Sequence, residues 1–329
     1  MSKPSDWDER RLGRHLKLRD LNVLLTVVRC GSMGKAAAQL SVSQPAISKA
    51  ISDLEYVLGV RLLDRRPQGV EPTIYGRALL DRGLNAFDEL KQATKDIEFL
   101  ADPSAGEVRV GASVVIGSSL VAAVVDRLSR RYPRVTVHLL AGEVTMIQRA
   151  LDGREVDVLL AGMFGPVPEH LNAEFLYDDP FVIAAGAGNP LCRRRHIKLA
   201  DLMNEPWALP PPNSPSRAVV AEVFRASGLD LPRATLLTSS IPARNALLTG
   251  GRFLTLVPVS ILKLSGASQE IRALPVDIPS VGRPIGILTL KNRTLSPVAQ
   301  LFISCAREVA NSIAGRAKRP TKLRPAVGR

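Results

Sequence analysis

Residues 44–58 carry polar and apolar side chains on two separate faces when the stretch is drawn as a helix. The apolar face consists of Ile47, Ile51, Leu54 and Leu58. The opposite face presents Pro45, Ser48, Lys49, Ser52 and Tyr56, with Gln44 at the helix start. Glutamine can form paired hydrogen bonds with adenine, serine can bond several base edges, and lysine can reach guanine or phosphate. The pattern therefore suits a helix that enters the major groove of DNA while its apolar back rests on a scaffold.

An ordinary amphipathic helix with a solvated polar face has the same pattern, so these residues alone leave both interpretations open. The residues that follow favour DNA binding. Residues 61–73 place three arginines, Arg61, Arg65 and Arg66, before a Pro-Gln-Gly turn, and Pro72-Thr73 comes after it. This arrangement predicts a basic hairpin, or wing, that contacts the phosphate backbone or the minor groove.

Short helices are expected in front of this stretch. Apolar residues between 21 and 28 recur at a spacing of three and four, which predicts a helix that ends at Gly31. Residues 34–40 are rich in alanine and predict a second helix that can pack closely. Ser43 is a favourable N-cap for the helix that starts at Gln44, and proline is tolerated in its first turn.

One long helical pattern follows, over residues 76–101. Its apolar stripe contains Leu80, Leu84, Phe87, Leu90 and Ile97. We expect this stripe to have little to cover it within its own segment, and a second copy of the chain is a natural cover. Leu80, Leu84, Phe87 and Leu90 are therefore the predicted dimer contact. Packing on the chain's own downstream domain is the alternative.

The formal net charge of the 329-residue chain is +13, and it is unevenly distributed. Residues 17–77 hold nine Lys and Arg against five Asp and Glu, residues 78–104 hold three against six, and residues 315–329 hold six against none. Charge can serve solubility alone, but a basic module at one end also fits attraction to phosphate. No stretch approaches the roughly 20 apolar residues of a membrane span, and the N-terminus lacks the apolar run of a secretory signal. We therefore expect a cytoplasmic protein without a membrane partner.

Catalytic and metal-binding patterns are missing from the sequence. Three cysteines lie far apart, which suggests structural thiols in a reducing compartment, and four histidines are scattered without metal-ligand spacing. The glycines of GASVVIGSS lack the lysine of a P-loop, and Ser113 does not lie in a G-x-S-x-G elbow. The sequence therefore predicts no enzyme, no catalytic or metal-binding residue and no cofactor. An exported solute-binding protein, the other alternative, would need the signal that is absent.

The chain changes character after a breaker at residues 102–106, Asp-Pro-Ser-Ala-Gly, which predicts a hinge. Strands are predicted near 107–111, 135–141, 156–162, 180–186, 207–209, 234–239, 253–258 and 285–290. Helices are predicted near 117–131, 146–151, 215–227, 242–250 and 296–314. The alternation of strand and helix that opens this region indicates a parallel sheet.

Residues 18–76, which contain AAAQLSVSQPAISKAISDLEYVLGVRLLDR and then PTIYG, resemble the winged helix-turn-helix of LysR-type transcriptional regulators. The segment VRVGASVVIGSSL, followed by RRYPRVTVHLLAGE, is similar to the opening of the family's regulatory domain. The resemblance implies an α plus α/β chain: a winged helix-turn-helix, a long linker helix, and a two-lobed α/β domain like type 2 periplasmic binding proteins. The implied parts are a flexible N-terminus 1–16, a DNA-binding domain 17–76, a linker helix and hinge 77–104, a regulatory domain 105–314, and a disordered basic tail 315–329. Lobe I comprises 105–178 and 283–314, and lobe II comprises 179–282.

The resemblance also implies a role for individual residues in DNA binding. The residues implied to meet the bases lie at the start of the third helix: Gln44, Pro45, Ser48 and Lys49. Ser52, on the same polar face, is a further DNA-binding candidate. Lys49 matches a position that is often arginine in the family, and lysine keeps the charge but lacks the planar fork that pairs with guanine. The residues implied to meet phosphate or the minor groove lie on the wing and its return: Arg65, Arg66 and Thr73.

The family binds a small-molecule effector between the two lobes. The positions implied for this chain are Ala112, Ser113, Val114, Gly142, Glu143, Gly162, Ser214, Ser216, Ser239 and Ser240. Ser113 follows a strand and precedes a helix, where free N–H groups favour a carboxylate or phosphate. Glu143 replaces the small polar residue common in the family, which points to a hydroxylated or cationic effector. Each of these residues can instead be a plain cap or turn residue. The partners implied are double-stranded promoter DNA, an anionic or polar effector, one or three further copies of the chain, and RNA polymerase if the protein activates transcription.

Overall fold

The computed structural model describes residues 16–66, 69–163, 165–212, 214–264, 270–279 and 283–314. The predictions for the first 15 residues and for the tail 315–329 lie outside the described residues. The chain divides into two compact units, one that ends at Thr94 and one that begins at Lys95. The expected combination of a winged helix-turn-helix and a two-lobed α/β domain is therefore present.

The N-terminal unit is a helical domain with a two-stranded wing. Its elements in chain order are α1 Leu18–Cys30, α2 Met33–Gln39, α3 Gln44–Leu58, β1 Leu63–Arg66, β2 Gly69–Pro72 and the start of α4 Ile74–Ala101. Glycines with positive φ end two of these helices, Gly31 at +63° and Gly59 at +67°. The Ser43 hydroxyl accepts a hydrogen bond from the Ala46 N–H and starts α3, as its sequence predicts.

The linker helix α4 begins two residues earlier than the sequence pattern suggests. Thr73 is the reason, because its hydroxyl accepts a hydrogen bond from the Gly76 N–H at 3.0 Å and so caps the first turn. The same hydroxyl donates to the Arg61 carbonyl at 2.7 Å. These two bonds tie the end of the wing to the start of α4.

The C-terminal unit contains two five-stranded sheets. The strands are β3 Ala105–Ser113, β4 Arg134–Gly142, β5 Val158–Gly162, β6 Leu171–Asp178, β7 Phe181–Gly186, β8 Trp207–Leu209, β9 Ala234–Leu237, β10 Leu254–Pro258, β11 Ile271–Ala273 and β12 Pro284–Leu290. The strand order is β4-β3-β5-β12-β6 in the first sheet and β11-β7-β10-β8-β9 in the second. We refer to the first sheet with its helices as lobe I and to the second with its helices as lobe II.

Helices connect and cover the strands of both sheets. They are α5 Val114–Ile116, α6 Ala122–Arg131, α7 Val144–Asp152, α8 Pro215–Ala226, α9 Ile241–Thr249, α10 Val259–Leu264 and α11 Pro297–Ala314, with a π-helical turn Gly117–Val121 between α5 and α6. Three elements were not expected: β6, β11 and α10. The sheets are mixed rather than purely parallel, because β12 runs antiparallel to β5 and β6 in lobe I, and β7 runs antiparallel to β10 and β11 in lobe II.

Candidate DNA-binding and effector sites

Helix α3 has the two faces that its sequence predicts. Ile47, Ile51 and Leu54 are each about 1% exposed and lie in a core shared with α1 and α2. Gln44, Pro45, Lys49 and Ser52 are exposed, and Ser48 is half-buried. Tyr56 is 88% exposed on the same side. An apolar back that fixes the helix and a polar front open to solvent are what a base-reading helix needs.

The predicted hairpin is present as an antiparallel pair in which Arg65 lies opposite Val70 and Arg66 opposite Gly69. The turn residues Pro67 and Gln68 and the side chain of Arg65 lie outside the described residues. The guanidinium of Arg66 is exposed and lies 3.2 Å from the Glu71 carboxylate. Arg66 must therefore exchange Glu71 for phosphate if it binds DNA.

Thr73 has a different environment from the one expected for a backbone contact. Both hydrogen-bonding functions of its hydroxyl are occupied inside the protein, by the Arg61 carbonyl and the Gly76 N–H. Thr73 thus positions the wing against α4, and any contact that it makes with phosphate would be in addition to these bonds.

The apolar stripe of α4 is divided between two environments. Leu80 is 8% exposed and belongs to the core of the N-terminal unit, and Leu84 and Phe87 pack against that core. The expectation that the stripe has little to cover it within the chain is therefore wrong for these three residues, because α1 to α3 cover them. Leu90 is different, since it is 49% exposed. A contact with a second copy would rest on Leu90 and the exposed positions beyond it.

The predicted effector residues of lobe I follow three parallel strands. Ser113 ends β3, Gly142 ends β4, and Gly162 ends β5, so all three lie at one edge of the sheet. At that same edge Gly162 pairs with Ile285, near the start of β12, and Pro284 pairs with Asp178, at the end of β6. Because the chain passes to and from lobe II at these residues, we name this the hinge-side edge of lobe I.

Lobe II has a matching hinge-side edge. Strands β8, β9 and β10 are parallel, so their carboxyl ends lie together, and Phe181 at the start of β7 pairs with Pro258 at the end of β10. The predicted serines follow β8 and β9 at this edge: Ser214, Ser216, Ser239 and Ser240. Two residues, Asp179 and Pro180, join this edge to that of lobe I. The topology therefore brings the predicted effector residues to the facing edges of the two lobes.

Three of these serines also serve as helix caps. Hydroxyl oxygens of Ser113, Ser214 and Ser240 accept hydrogen bonds from the N–H groups of Ile116, Arg217 and Ala243. The Ser214 hydroxyl also donates to the Pro211 carbonyl at 2.8 Å, so both of its functions are occupied. Ser113 and Ser240 keep a hydroxyl proton for which no acceptor is found among the described residues. These two are better placed than Ser214 to donate to a ligand.

The other predicted effector positions differ in exposure. Ala112 is fully buried in the core of lobe I, so it can contribute only its backbone. Val114 and Glu143 are exposed, and Glu143 precedes α7 without capping it. Ser216 and Ser239 are exposed as well. The lobe I edge therefore carries an exposed carboxylate, as the sequence predicts.

A buried polar cluster lies where the chain crosses between the lobes, and sequence reasoning missed it. The Asp179 carboxylate accepts from the Ser260 N–H at 2.9 Å and from its hydroxyl at 2.6 Å. The Ser260 hydroxyl lies 3.5 Å from the hydroxyl of Ser119, so the cluster joins α10 of lobe II to the π-helical turn of lobe I. The only signal in the sequence is the Asp-Asp-Pro run at residues 178–180.

Arg283 completes this cluster on the second crossing. Its guanidinium lies 5.4 Å from the centre of the Phe181 ring and 3.9 Å from the Asp179 carboxylate, too far for a hydrogen bond. Burial raises the pKa of Asp179, against the opposing effects of the Ser260 hydrogen bonds and of Arg283. Burial lowers the pKa of Arg283. Asp179 and Arg283 therefore link the two chain segments that cross between the lobes, in a buried environment that favours the neutral form of each group.

Neither a metal site nor a membrane span is found in the part of the chain that the structure describes. No group of three or more His, Cys, Asp or Glu residues in that part could hold a metal ion. None of the described helices is both long enough and apolar enough to cross a bilayer.

Comparisons with known proteins agree with this architecture. The family model of the LysR substrate binding domain matches residues 101–311, and the model of the bacterial regulatory helix-turn-helix protein, lysR family, matches residues 18–77. The HTH-type transcriptional regulator GbpR of Azospirillum brasilense is 27% identical over 320 residues, covering 95% of this chain and 92% of its own length. The transcriptional dual regulator GltC of Bacillus subtilis is 27% identical over 290 residues, with 87% and 95% covered.

Solved structures of full-length regulators share the fold. A full-length OxyR variant from Pseudomonas aeruginosa has a TM-score of 0.63 at 20% identity, covering 91% of this chain and 95% of that one. Full-length CbnR complexed with its target DNA has a TM-score of 0.52 at 23% identity, covering 90% and 100%. The chain therefore belongs to the LysR family: it is a DNA-binding transcriptional regulator with an effector-binding domain, and not an enzyme.

Proposed function

We propose that this regulator reads promoter DNA in the cytoplasm through the exposed face of α3. Gln44, Pro45, Ser48 and Lys49, with Ser52 one turn further, contact base edges, while Arg65 and Arg66 contact phosphate or the minor groove. The observation that carries this proposal is the separation of an exposed polar face from an apolar face that is about 1% exposed. Genome-wide mapping of bound DNA tests it, since a base-reading protein recovers sites that share a sequence.

The proposed assembly is a homodimer or a dimer of dimers. Two recognition helices meet successive major grooves on one face of the duplex only if a second copy supplies the other helix. Leu90, exposed on α4, is the strongest of the predicted dimer residues, because Leu80, Leu84 and Phe87 already pack within their own unit. If the protein activates transcription, RNA polymerase is the further partner.

Control is proposed to arise from an anionic or polar small molecule bound between the two hinge-side edges. A ligand shifts a conformational equilibrium only through different affinities for the two states. A molecule that touches both edges favours a closed form, because only that form makes both sets of contacts. A coupling of about 1–3 kcal/mol would change the affinity for DNA by roughly 5- to 150-fold.

Substitution of Ser113 tests this control. Ser113→Trp would fill the lobe I edge, and we expect it to leave basal DNA binding intact while abolishing the effector response. Ser113→Ala is the matched control, because it removes the same cap hydrogen bond to Ile116 without filling the space. Calorimetry and footprinting on both variants give the answer once an effector is found. An unchanged affinity and footprint shift in Ser113→Trp would move the effector away from this edge.

A further inference from the structure

Arg244 in lobe II has a half-buried side chain whose guanidinium is only partly paired. Its Nε and Nη2 atoms are closed to solvent and have no hydrogen-bond partner among the described residues. Among the described residues no carboxylate forms an ion pair with it, and burial lowers the pKa of its guanidinium. The neighbouring Asn245 has a buried side-chain oxygen that is likewise without a donor. Polar groups left in this state are costly, so each requires an explanation.

Other buried arginines of this domain have acidic neighbours. Arg293 bonds the Asp157 carboxylate at 2.8 Å. Arg283 has one buried nitrogen, Nη1, without a hydrogen-bond partner among the described residues, but that atom lies 3.9 Å from the Asp179 carboxylate, and the guanidinium lies over the Phe181 ring. The fold therefore places a carboxylate near a buried guanidinium where the charge serves the structure. Arg244 departs from this pattern, which indicates that its counter-charge comes from outside the chain.

The unpaired edge of Arg244 identifies the chemistry of that counter-charge. Nε–H and Nη2–H lie side by side and match the two oxygens of one carboxylate. This chain uses that same edge for carboxylates elsewhere: Arg307 bonds Glu174 through Nε and Nη2 at 2.6 and 2.7 Å, and Arg130 bonds Asp126 at 3.1 and 3.0 Å. A carboxylate is thus the group that matches this unpaired edge.

Helix α9 places Arg244 at the hinge-side edge of lobe II. The helix begins just after β9, and the Arg244 N–H donates to the Ser240 carbonyl, which puts Arg244 in the first turn. Leu248, one turn later on the same inward face, packs in a small core with Ala184 and Val257. Arg244 therefore lies one turn closer than that core to the edge where Ser240 stands.

We propose that Arg244 binds a carboxylate group of the effector through its Nε–H and Nη2–H, and that Asn245 accepts a hydrogen bond from a hydroxyl or ammonium group of the same molecule. The effector class is then a hydroxy or amino carboxylic acid. This inference rests on the proposed function, since it assigns residues to the effector site. The edge is closed to solvent here, so the ligand enters when the lobes separate or the side chain turns.

Thermal unfolding and calorimetry of the full chain test this assignment. The probes are L-lactate, L-serine, D-gluconate, succinate and benzoate, with inorganic phosphate and sulfate as oxyanions of different shape. The variants are Arg244→Met, which removes the charge, and Arg244→Lys, which keeps the charge without the paired edge. Arg252→Gln is the matched control, because Arg252 is an exposed arginine of the same lobe.

The expected result has two parts. At least one hydroxy or amino carboxylate raises the unfolding midpoint of the wild type and of Arg252→Gln, and binds Arg244→Met and Arg244→Lys about 10- to 100-fold more weakly. Without ligand, the midpoint of Arg244→Met is equal to or above that of the wild type, because an unpaired buried charge has been removed.

Three outcomes would overturn the assignment. A lower midpoint of ligand-free Arg244→Met would show that the arginine serves the fold. Equal carboxylate binding by the wild type and Arg244→Met would leave the effector control standing but move the carboxylate elsewhere. Binding of phosphate or sulfate, with no binding of any of the carboxylates, would show that the effector is not a carboxylic acid. DNA binding by each variant is measured in parallel, so that failure of the regulatory function itself is seen separately.

Discussion

Helix α3 and the hinge region of the regulatory domain use polar residues in opposite ways. Helix α3 buries three residues, all of them apolar, and leaves Gln44, Lys49 and Ser52 exposed to solvent. The crossing between the lobes buries charged residues, Asp179 and Arg283, in the interior. The comparison shows that the polar residues of α3 are available to an external partner, whereas those at the crossing between the lobes stabilise the packing of their own domain.

The largest effect should come from a buried charge of the regulatory domain. The Asp157 carboxylate bonds Arg293 at 2.8 Å and accepts from the Arg109 N–H at 2.9 Å. Asp157→Ala leaves the Arg293 guanidinium buried without its carboxylate, and we expect a loss of about 3–5 kcal/mol in the free energy of unfolding of this domain. Urea denaturation followed by circular dichroism measures it.

Arg307→Ala is the matched control for that experiment. Arg307 bonds Glu174 through two nitrogen atoms, but both side chains are about half exposed, so the expected loss is about 0–1 kcal/mol. A loss of similar size in both variants would remove the distinction between buried and exposed charge on which the comparison rests.

A second prediction concerns the part of α4 that the N-terminal unit leaves uncovered. Leu90→Asp places a charge at an exposed apolar position, so the monomer keeps its fold and the dimer weakens at least about tenfold. Sedimentation equilibrium measures the change. Leu84→Asp is the contrasting variant, because Leu84 packs on the N-terminal core and its replacement should unfold that unit. A Leu90→Asp protein that dimerises like the wild type would place the interface elsewhere.

A third prediction concerns the wing. If Arg66 exchanges Glu71 for phosphate, Arg66→Ala should weaken binding to specific and to random DNA to the same extent. The slope of the logarithm of the binding constant against the logarithm of the salt concentration should fall in magnitude by about 1. Titrations at several salt concentrations measure the slope. Glu71→Gln is the control, since it frees Arg66 and should strengthen binding to random DNA. A slope that Arg66→Ala leaves unchanged would exclude a phosphate contact.

The smallest effect is a dependence on pH. The hydrogen bonds from Arg307 hold the pKa of Glu174 below its ordinary value. A depressed folded-state pKa means that the unfolded chain binds more protons in the acid range, so the stabilisation is present above the ordinary pKa and is lost as pH falls through the folded value. Between pH 7 and pH 3 the wild type should therefore lose slightly more stability than Glu174→Gln. Parallel losses would show that the exposed pair contributes nothing.

The two sites also differ in how far the sequence predicts them. The bounds of α3 follow from local signals, since Ser43 caps it, Pro45 suits its first turn and Gly59 ends it. The strand that ends at Gly162 is likewise visible as an apolar run, whereas β3, predicted over 107–111, extends two residues further at each end. These features depend on residues that are close in the sequence, so a local sequence pattern is enough to predict them.

Features that depend on distant residues escaped prediction. Strand β6 buries only Leu171 and Tyr177, six residues apart, so it shows no clear alternation. Asp179 and Ser260 are hydrogen-bonded although they are 81 residues apart in the sequence, and the residues around either one do not predict the contact. The Nε and Nη2 atoms of Arg244 have no hydrogen-bond partner among the described residues, and only the folded structure shows this. The first part of the α4 stripe is a further case, because Leu80, Leu84 and Phe87 pack with residues of the domain that precedes them.

The central claim is that the exposed face of α3 reads bases, and binding of Gln44→Ala to specific and random DNA tests it most directly. Gln44 is exposed at the start of α3 and contributes nothing to the core, so the variant should fold like the wild type. Loss of a paired contact with a base predicts about 1–3 kcal/mol weaker binding to the specific site and little change on random DNA. Equal losses on both DNAs would contradict the claim and assign Gln44 to the backbone.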